Sequence, residues 1–367
     1  MNEQRNWDVY PGKKRKFNWL ALIIVLAVVL AGSVLLVFSA FQKYLVYRQD
    51  GLYIDLPFME NDYEEITDLE GVTRDPVTAE LSLDGYDFSH VQTNAGEGVT
   101  TMKAMYVTYD KVNDESLQEY VSRAKLNKAN ALVLQVKPES GYVIYPSGAS
   151  LCAGYGLVGP YDLATQVVKL REQGLYLVAD ITCLLDSAII NRYMGTCLTT
   201  TIGAPLVTDA GYWMDPFNTE YRAYLVELAK ELINMGFDEI MFSYVSHPVA
   251  EGVVYSQSMS TPPTAETAIS SFAVYVEKEL GDLVPLGLRV SYEALNNGMG
   301  SNGQNMEVLG RVFDRIYCTS TSNSYESDVQ KAMGYMNTTN ADRFVPYGYS
   351  APTDNSWMLL TWVDPDA

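Results

Sequence analysis

Three carboxylates stand where short β-branched runs give way to loops: Glu139, Asp180 and Glu293. In parallel α/β architectures the C-terminal ends of strands are where catalytic groups collect, so these three are candidates for general acid or base work. The plainer role for each is a loop cap or an ion pair; for Glu293, Lys137 is a candidate partner. Asp215 precedes Pro216 ahead of an amphipathic run and reads as a turn residue. The chain has two histidines, His90 and His247, which excludes a multi-histidine metal site and leaves any Ser-His-Asp triad dependent on one of them. Asp180, Asp186 and Asp215 could surround a hard cation such as Ca²⁺, but their spacing is not that of an EF-hand, and neither metal nor cofactor is expected. The glycines 154, 156 and 159 match GxGxxG, but no clear strand enters them and Pro160 follows, so a loop is expected rather than a dinucleotide site.

Aromatic side chains are abundant, with 27 Tyr and 5 Trp. Tyr142, Tyr145, Trp213, Tyr244 and Tyr292 fall in or beside expected loops and strand ends, where ring faces can stack on apolar ligand faces; Trp213 and Tyr244 are the leading candidates. Four cysteines (152, 183, 197 and 318) contain no CxxC spacing. Their even number permits disulfides, Cys183–Cys197 being the preferred pair, and buried free thiols fit equally well.

The 367 residues are 48% hydrophobic and 19% charged, enough apolar side chain for a large core. The net charge of −20 makes sequence-independent nucleic-acid binding a poor expectation, since that depends on neutralising phosphates. The charge is unevenly placed. Residues 1–48 hold seven Lys/Arg and two Asp/Glu, leaving 18 basic and 43 acidic residues beyond them, a net −25.

Residues 17–41 carry no charge until Phe41 has passed, and Lys13 to Lys16 precede them. A run of ~20 apolar residues spans the bilayer core, and the positive flank stays cytoplasmic. The expected organisation is a cytoplasmic basic tail (1–16), a transmembrane anchor (17–41), an acidic stalk with a packing arm (42–100) and an extracytoplasmic domain (101–367).

In that last segment, strand candidates 104–108, 131–136, 175–181, 239–243, 287–292, 315–318, 343–347 and, weakly, 357–363 alternate with helix candidates 115–126, 163–173, 219–235, 265–280, 305–313 and 326–336. The 219–235 run places Tyr221, Tyr224, Leu225, Leu228, Ala229 and Leu232 on one face, with Asn218 as N-cap and Gly236 as stop. Eight strand slots over this length suit a (β/α)8 TIM-type barrel, with a doubly wound open sheet as the rival. Asp238 and Glu239, ahead of the fourth strand, belong to the barrel's bottom, where residues serve stability.

Two segments, Gly211-Tyr-Trp-Met-Asp-Pro-Phe-Asn218 and Gly236-Phe-Asp-Glu-Ile-Met-Phe-Ser-Tyr-Val-Ser-His-Pro248, together with Asn130-Ala-Leu-Val-Leu-Gln-Val-Lys-Pro-Glu-Ser-Gly-Tyr142 and Leu288-Arg-Val-Ser-Tyr-Glu293, resemble the bacterial glycoside-hydrolase-like DUF4015 family over roughly residues 102–350. The resemblance implies an amylase-like barrel and a carbohydrate-related role. It also exposes departures. Where the family has F-D-Y-V-R-F-P this chain has Ser243, Ser246 and His247 at the D, R and second F; Gln135 stands for the Asp of D-V-K, with Lys137 kept; Glu293 stands for the Asp of V-S-A-D. Glycoside hydrolysis ordinarily needs two carboxylates, and a Ser hydroxyl cannot replace one that stabilises positive charge.

The expectation is therefore a membrane-anchored barrel that binds a polysaccharide or cell-envelope glycan through Lys137, Tyr142, Trp213, Ser243, Tyr244, His247 and Tyr292, with degraded catalytic carboxylates. The alternatives are an active glycosidase in which Asp180 or Glu139 works with Glu293, and a non-catalytic envelope protein-docking module.

Overall fold

The computed structural model describes residues 45–48, 51–54, 99–256, 262–351 and 353–360. The expected membrane anchor and most of the expected stalk lie outside the described residues; among those described, no helix is long and apolar enough to cross a membrane. Within residues 1–78, Leu45–Arg48 and Gly51–Ile54 form an antiparallel hairpin. Residues 79–367 are a separate compact unit.

That unit is a closed barrel of eight parallel strands, which settles the choice against an open sheet. The strands are β1 (Lys103–Val107), β2 (Ala131–Lys137), β3 (Tyr176–Thr182), β4 (Glu239–Ser243), β5 (Leu286–Arg289), β6 (Arg315–Thr319), β7 (Phe344–Gly348) and β8 (Trp357–Leu359). The weak eighth slot is real: β8 is three residues long and closes the ring, pairing Met358 with Tyr347 on one side and with Ala104 on the other. Six main helices flank the barrel: α1 (Asp114–Leu126), α2 (Leu163–Glu172), α3 (Thr219–Met235), α4 (Ala265–Leu280), α5 (Met306–Val312) and α6 (Tyr325–Tyr335). Asn218 caps α3 by accepting from the Tyr221 amide, and Gly236 ends it at φ 106°, a left-handed turn open to glycine.

Strand alternation divides the core in two. Met102, Ala104, Tyr106, Ala131, Val133, Val178, Met241, Tyr317, Val345 and Met358 fill the barrel interior, while the opposite strand faces pack under the helices. The fifth strand is shorter than its apolar pattern suggests. It stops at Arg289, and Ser291 then caps a short helix, Tyr292–Asn297, by accepting from the Ala294 amide. Glu293 therefore sits in the first turn of a helix rather than at a strand end.

At the bottom of the barrel Glu239 and Arg315 form an ion pair, both fully buried, with Arg315 Nε 2.8 Å from Glu239 Oε2. The Tyr176 and Tyr317 hydroxyls donate to the same carboxylate at 3.0 and 2.5 Å. Arg315 also donates to the Thr100 and Asp342 carbonyls. Gly287 must be glycine here, since a Cβ would lie 2.5 Å from the Tyr317 ring. Removing one partner of such a pair strands a buried charge. Arg315→Met is expected to cost about 3–5 kcal/mol in chemical denaturation, and Arg315→Met combined with Glu239→Leu to recover most of it; a single-variant loss below about 1 kcal/mol would contradict this role.

Candidate functional site

On β3, Val178 and then Asp180 point into the barrel, two residues apart as the pleat requires. Asp180 lies at the upper end of that interior and is fully buried. The Tyr106 hydroxyl of β1 donates to its Oδ2 at 2.6 Å, and the Ser243 hydroxyl of β4 donates to its Oδ1 at 2.8 Å. Ser243 Oγ also lies 3.3 Å from Thr182 Oγ1. Burial pushes the Asp180 carboxyl up to about 6, against the downward pull of Tyr106, the Arg289 charge and Ser243. Glu139, half-buried, adds a smaller upward push.

Beside this acid lies a cleft of about 230 Å³. Arg289 and Tyr347 reach it from the ends of β5 and β7, and Tyr244 and Ser246 from the loop after β4. Ser291, Asn302 and Gln304 complete the lining from the segment after β5. The Arg289 guanidinium sits over the Tyr347 ring, 4.5 Å from its centroid. Gln304 is the brace. Its Nε2 donates to the Val245 carbonyl at 3.0 Å and lies 3.4 Å from that of Arg289, while its Oε1 accepts the Ser291 amide at 2.8 Å. One side chain thus ties the end of β4 to the end of β5. Tyr244 adopts φ 53°, a left-handed conformation costly for a tyrosine and one that clusters at functional sites.

The other residues singled out in the sequence are dispersed. Lys137 lies outside the cleft, fully buried, with Nζ 3.0 Å from Asp186 Oδ2, 3.0 Å from the Thr182 carbonyl and 3.4 Å from the Tyr221 hydroxyl. The cause is a register irregularity in β2 between Gln135 and Lys137. Asp186 presses so closely on Gly141 that a Cβ there would lie 1.9 Å from its Oδ1. Trp213 is buried and donates its indole N–H to Thr208 Oγ1 at 2.9 Å. His247 is buried between the Pro248 carbonyl at 2.9 Å and the Tyr255 hydroxyl at 3.1 Å, and burial holds its pKa below the ordinary value. Glu293 is exposed, and its Oε2 accepts from both the amide and the hydroxyl of Ser301, which lowers its pKa. Tyr292 is exposed near Asp328, and Tyr142 is exposed in the loop after β2. Glu139 takes a long 3.5 Å contact from Gln135 Nε2.

All four cysteines are buried free thiols, which corrects the preferred Cys183–Cys197 bridge; Cys183 Sγ faces the Ile181 carbonyl and Cys197 Sγ that of Met194. Asp186 is held by Lys137, and Asp215 accepts from the Phe217 amide and from both the amide and the hydroxyl of Ser256. Among the described residues no cluster of acidic, His or Cys side chains is arranged to hold a metal ion.

A closed ring of eight parallel strands with helices between them is a TIM barrel, and its mouth here carries one buried acid beside a polar cleft. The chain belongs to the DUF4015 family, described as "putative glycosyl hydrolase domain", whose model matches residues 104–347. No curated protein matches the chain. Among solved structures it is similar to a hypothetical protein from Ruminiclostridium thermocellum (26% identity, TM-score 0.46, covering 50% of this chain and 96% of that one). It is also similar to an uncharacterized protein from Listeria monocytogenes (13%, TM-score 0.49, 75% and 30%) and to a cycloalternan-degrading enzyme from Trueperella pyogenes (12%, TM-score 0.47, 72% and 43%). The chain spans less than half the length of the latter two.

Sequence reasoning missed Arg289, Tyr347 and Gln304. Strand alternation held the signal for the first, because Gly287 and Arg289 share the inward face of β5; nothing local marks Gln304, whose role exists only once β4 and β5 are neighbours.

Asp180 makes stability depend on pH. Its folded pKa, about 6, lies above the ordinary 3.8, so its contribution is fully present below about pH 4 and lost as pH rises through 6. Asp180→Asn keeps an acceptor oxygen for one of the two hydroxyls, leaves the other to turn and accept from the new amide N–H, and removes the titration. Its stability relative to the parent is expected to rise by about 2–3 kcal/mol between pH 4 and 7 in parallel denaturation curves; a flat difference would show that Asp180 titrates normally.

Proposed function

We propose that this glycosyl-hydrolase-like barrel binds a polysaccharide or cell-envelope glycan in the cleft at its mouth and does not hydrolyse it there. The observation that carries this reading is the lining: seven residues, one cationic and the rest neutral, next to an acid whose two oxygens are both occupied by hydroxyls and closed to solvent. Hydrolysis asks for two carboxyl groups about 5–10 Å apart, both reaching the scissile bond. Tyr244 and Tyr347 offer ring faces for sugar C–H surfaces, and the serines and Asn302 offer hydrogen bonds to hydroxyls. Residues 17–41, read as an uncleaved anchor, would hold the barrel on the extracytoplasmic side, where such glycans lie.

A second reading has one observation in its favour. The Glu139 charge acts on Asp180, Tyr106 and Tyr244 alike, so two carboxylates lie within electrostatic reach at the barrel mouth. In that reading Asp180, protonated below about pH 6, donates the proton and Glu139 takes the second role.

Retention of the full-length chain on insoluble cell-wall and storage polysaccharides separates these readings. Binding is expected without release of reducing ends, and Tyr244→Ala is expected to weaken it about tenfold. Reducing ends that appear with the parent and vanish with Glu139→Gln would replace the first reading by the second. Failure to bind any polysaccharide would remove both.

A further inference from the structure

The donor and acceptor inventory of the cleft is one-sided. Gln304 has spent its amide on the backbone. The Asn302 side-chain oxygen accepts the Gln304 amide, at 3.3 Å, leaving its N–H groups. The Ser291 oxygen accepts the Ala294 amide, leaving its hydroxyl hydrogen. Tyr347 brings a hydroxyl to the lining. Ser246 and Tyr244 add two hydroxyls. Arg289 supplies five N–H donors and no acceptor.

Among the described residues nothing satisfies that guanidinium as an ion pair. Among the described residues it makes no salt bridge, and the charge that acts on it, Asp180, gives both its oxygens to Tyr106 and Ser243. Stacking on Tyr347 fixes the plane of the fork without consuming its edge. The rest of the chain is strongly acidic, so a cation presented by a donor-lined hollow is a local reversal of the protein's field. A planar fork with surrounding hydroxyl and amide donors matches an oxyanion.

We propose that the cleft recognises an anionic substituent, a carboxylate or sulfate, on the sugar it binds, with Arg289 as the residue that selects it and Gln304 as the positioning residue that aims Arg289. The inference rests on the carbohydrate-binding reading above and narrows its ligand to acidic glycans. No bond is made or broken. The anion replaces water at the guanidinium edge, while Tyr244 remains available for a sugar face.

Titration calorimetry on the full-length chain tests it with four oligosaccharides: an oligogalacturonate, its methyl ester, a sulfated galactan oligomer and a neutral cello-oligomer. The methyl ester keeps the shape of the uronate and deletes its charge, so the native protein alone can decide. At least one anionic oligomer is expected to bind tenfold or more tighter than the neutral pair, with an affinity that falls as salt is raised. Arg289→Gln should erase that preference, so that acid and ester bind alike; Arg289→Lys should retain part of it. Gln304→Ala should weaken anionic binding with the same selectivity pattern as Arg289→Gln. Whether the uronate or the sulfate arm responds identifies the group. Equal affinity for acid and ester, with no response to Arg289→Gln, would overturn the anion inference and leave carbohydrate binding standing. No binding to any of the four would overturn the carbohydrate reading itself and this inference with it.

Discussion

A closed barrel admits no water between its strands, so every charge on an inward face must find its partner inside the ring. That constraint governs both ends of this molecule. At the bottom it is met completely: Glu239 and Arg315 neutralise each other, and two tyrosine hydroxyls and two backbone carbonyls take up the remaining valences. At the top it is met without a cationic contact. Asp180 is held by two hydroxyls, and the cation of the same level, Arg289, is stabilised by a ring face and by the opening of the cleft. The asymmetry is what makes one end a plug and the other a site.

The identity of residue 243 follows from the same constraint. Its side chain stands 2.8 Å from Asp180 Oδ1. The DUF4015 pattern that this chain resembles has Asp at that position. A carboxylate there would face another at hydrogen-bond distance, and two such groups must share a proton, one of them with a strongly raised pKa. Serine turns that coupled pair into a donor and an acceptor. The result relaxes the electrostatics around Asp180.

Much of the architecture was legible before the fold. Strand and helix periods are local properties, and all eight strand slots and six helices occur where apolar spacing puts them; α3 and α4 have the expected limits. Glu239 at the bottom was legible too, from its place ahead of β4. The site was less so, because facing depends on register. One irregularity in β2 turns Lys137 away from the mouth and into a buried pair with Asp186. One capping serine, Ser291, ends β5 early and carries Glu293 into a solvent-facing helix turn. Arg289, Tyr347 and Gln304 come from three separated stretches and meet only when the ring closes.

The charge in the cleft bears on chemistry as well as on recognition. Glycoside cleavage passes through an oxocarbenium-like state, whose positive charge is ordinarily stabilised by a nearby carboxylate. Here the charged group that lines the hollow is a guanidinium, and the nearest buried acid is sealed by hydroxyls. A developing cation beside Arg289 would be opposed rather than stabilised, and in a partly desolvated site that opposition is larger than in water. In the proposed reading the same arrangement costs nothing to a ground-state sugar and favours one that carries negative charge. In the proposed reading, the serine at position 243 and the cation at position 289 act in one direction, toward holding a glycan rather than breaking it.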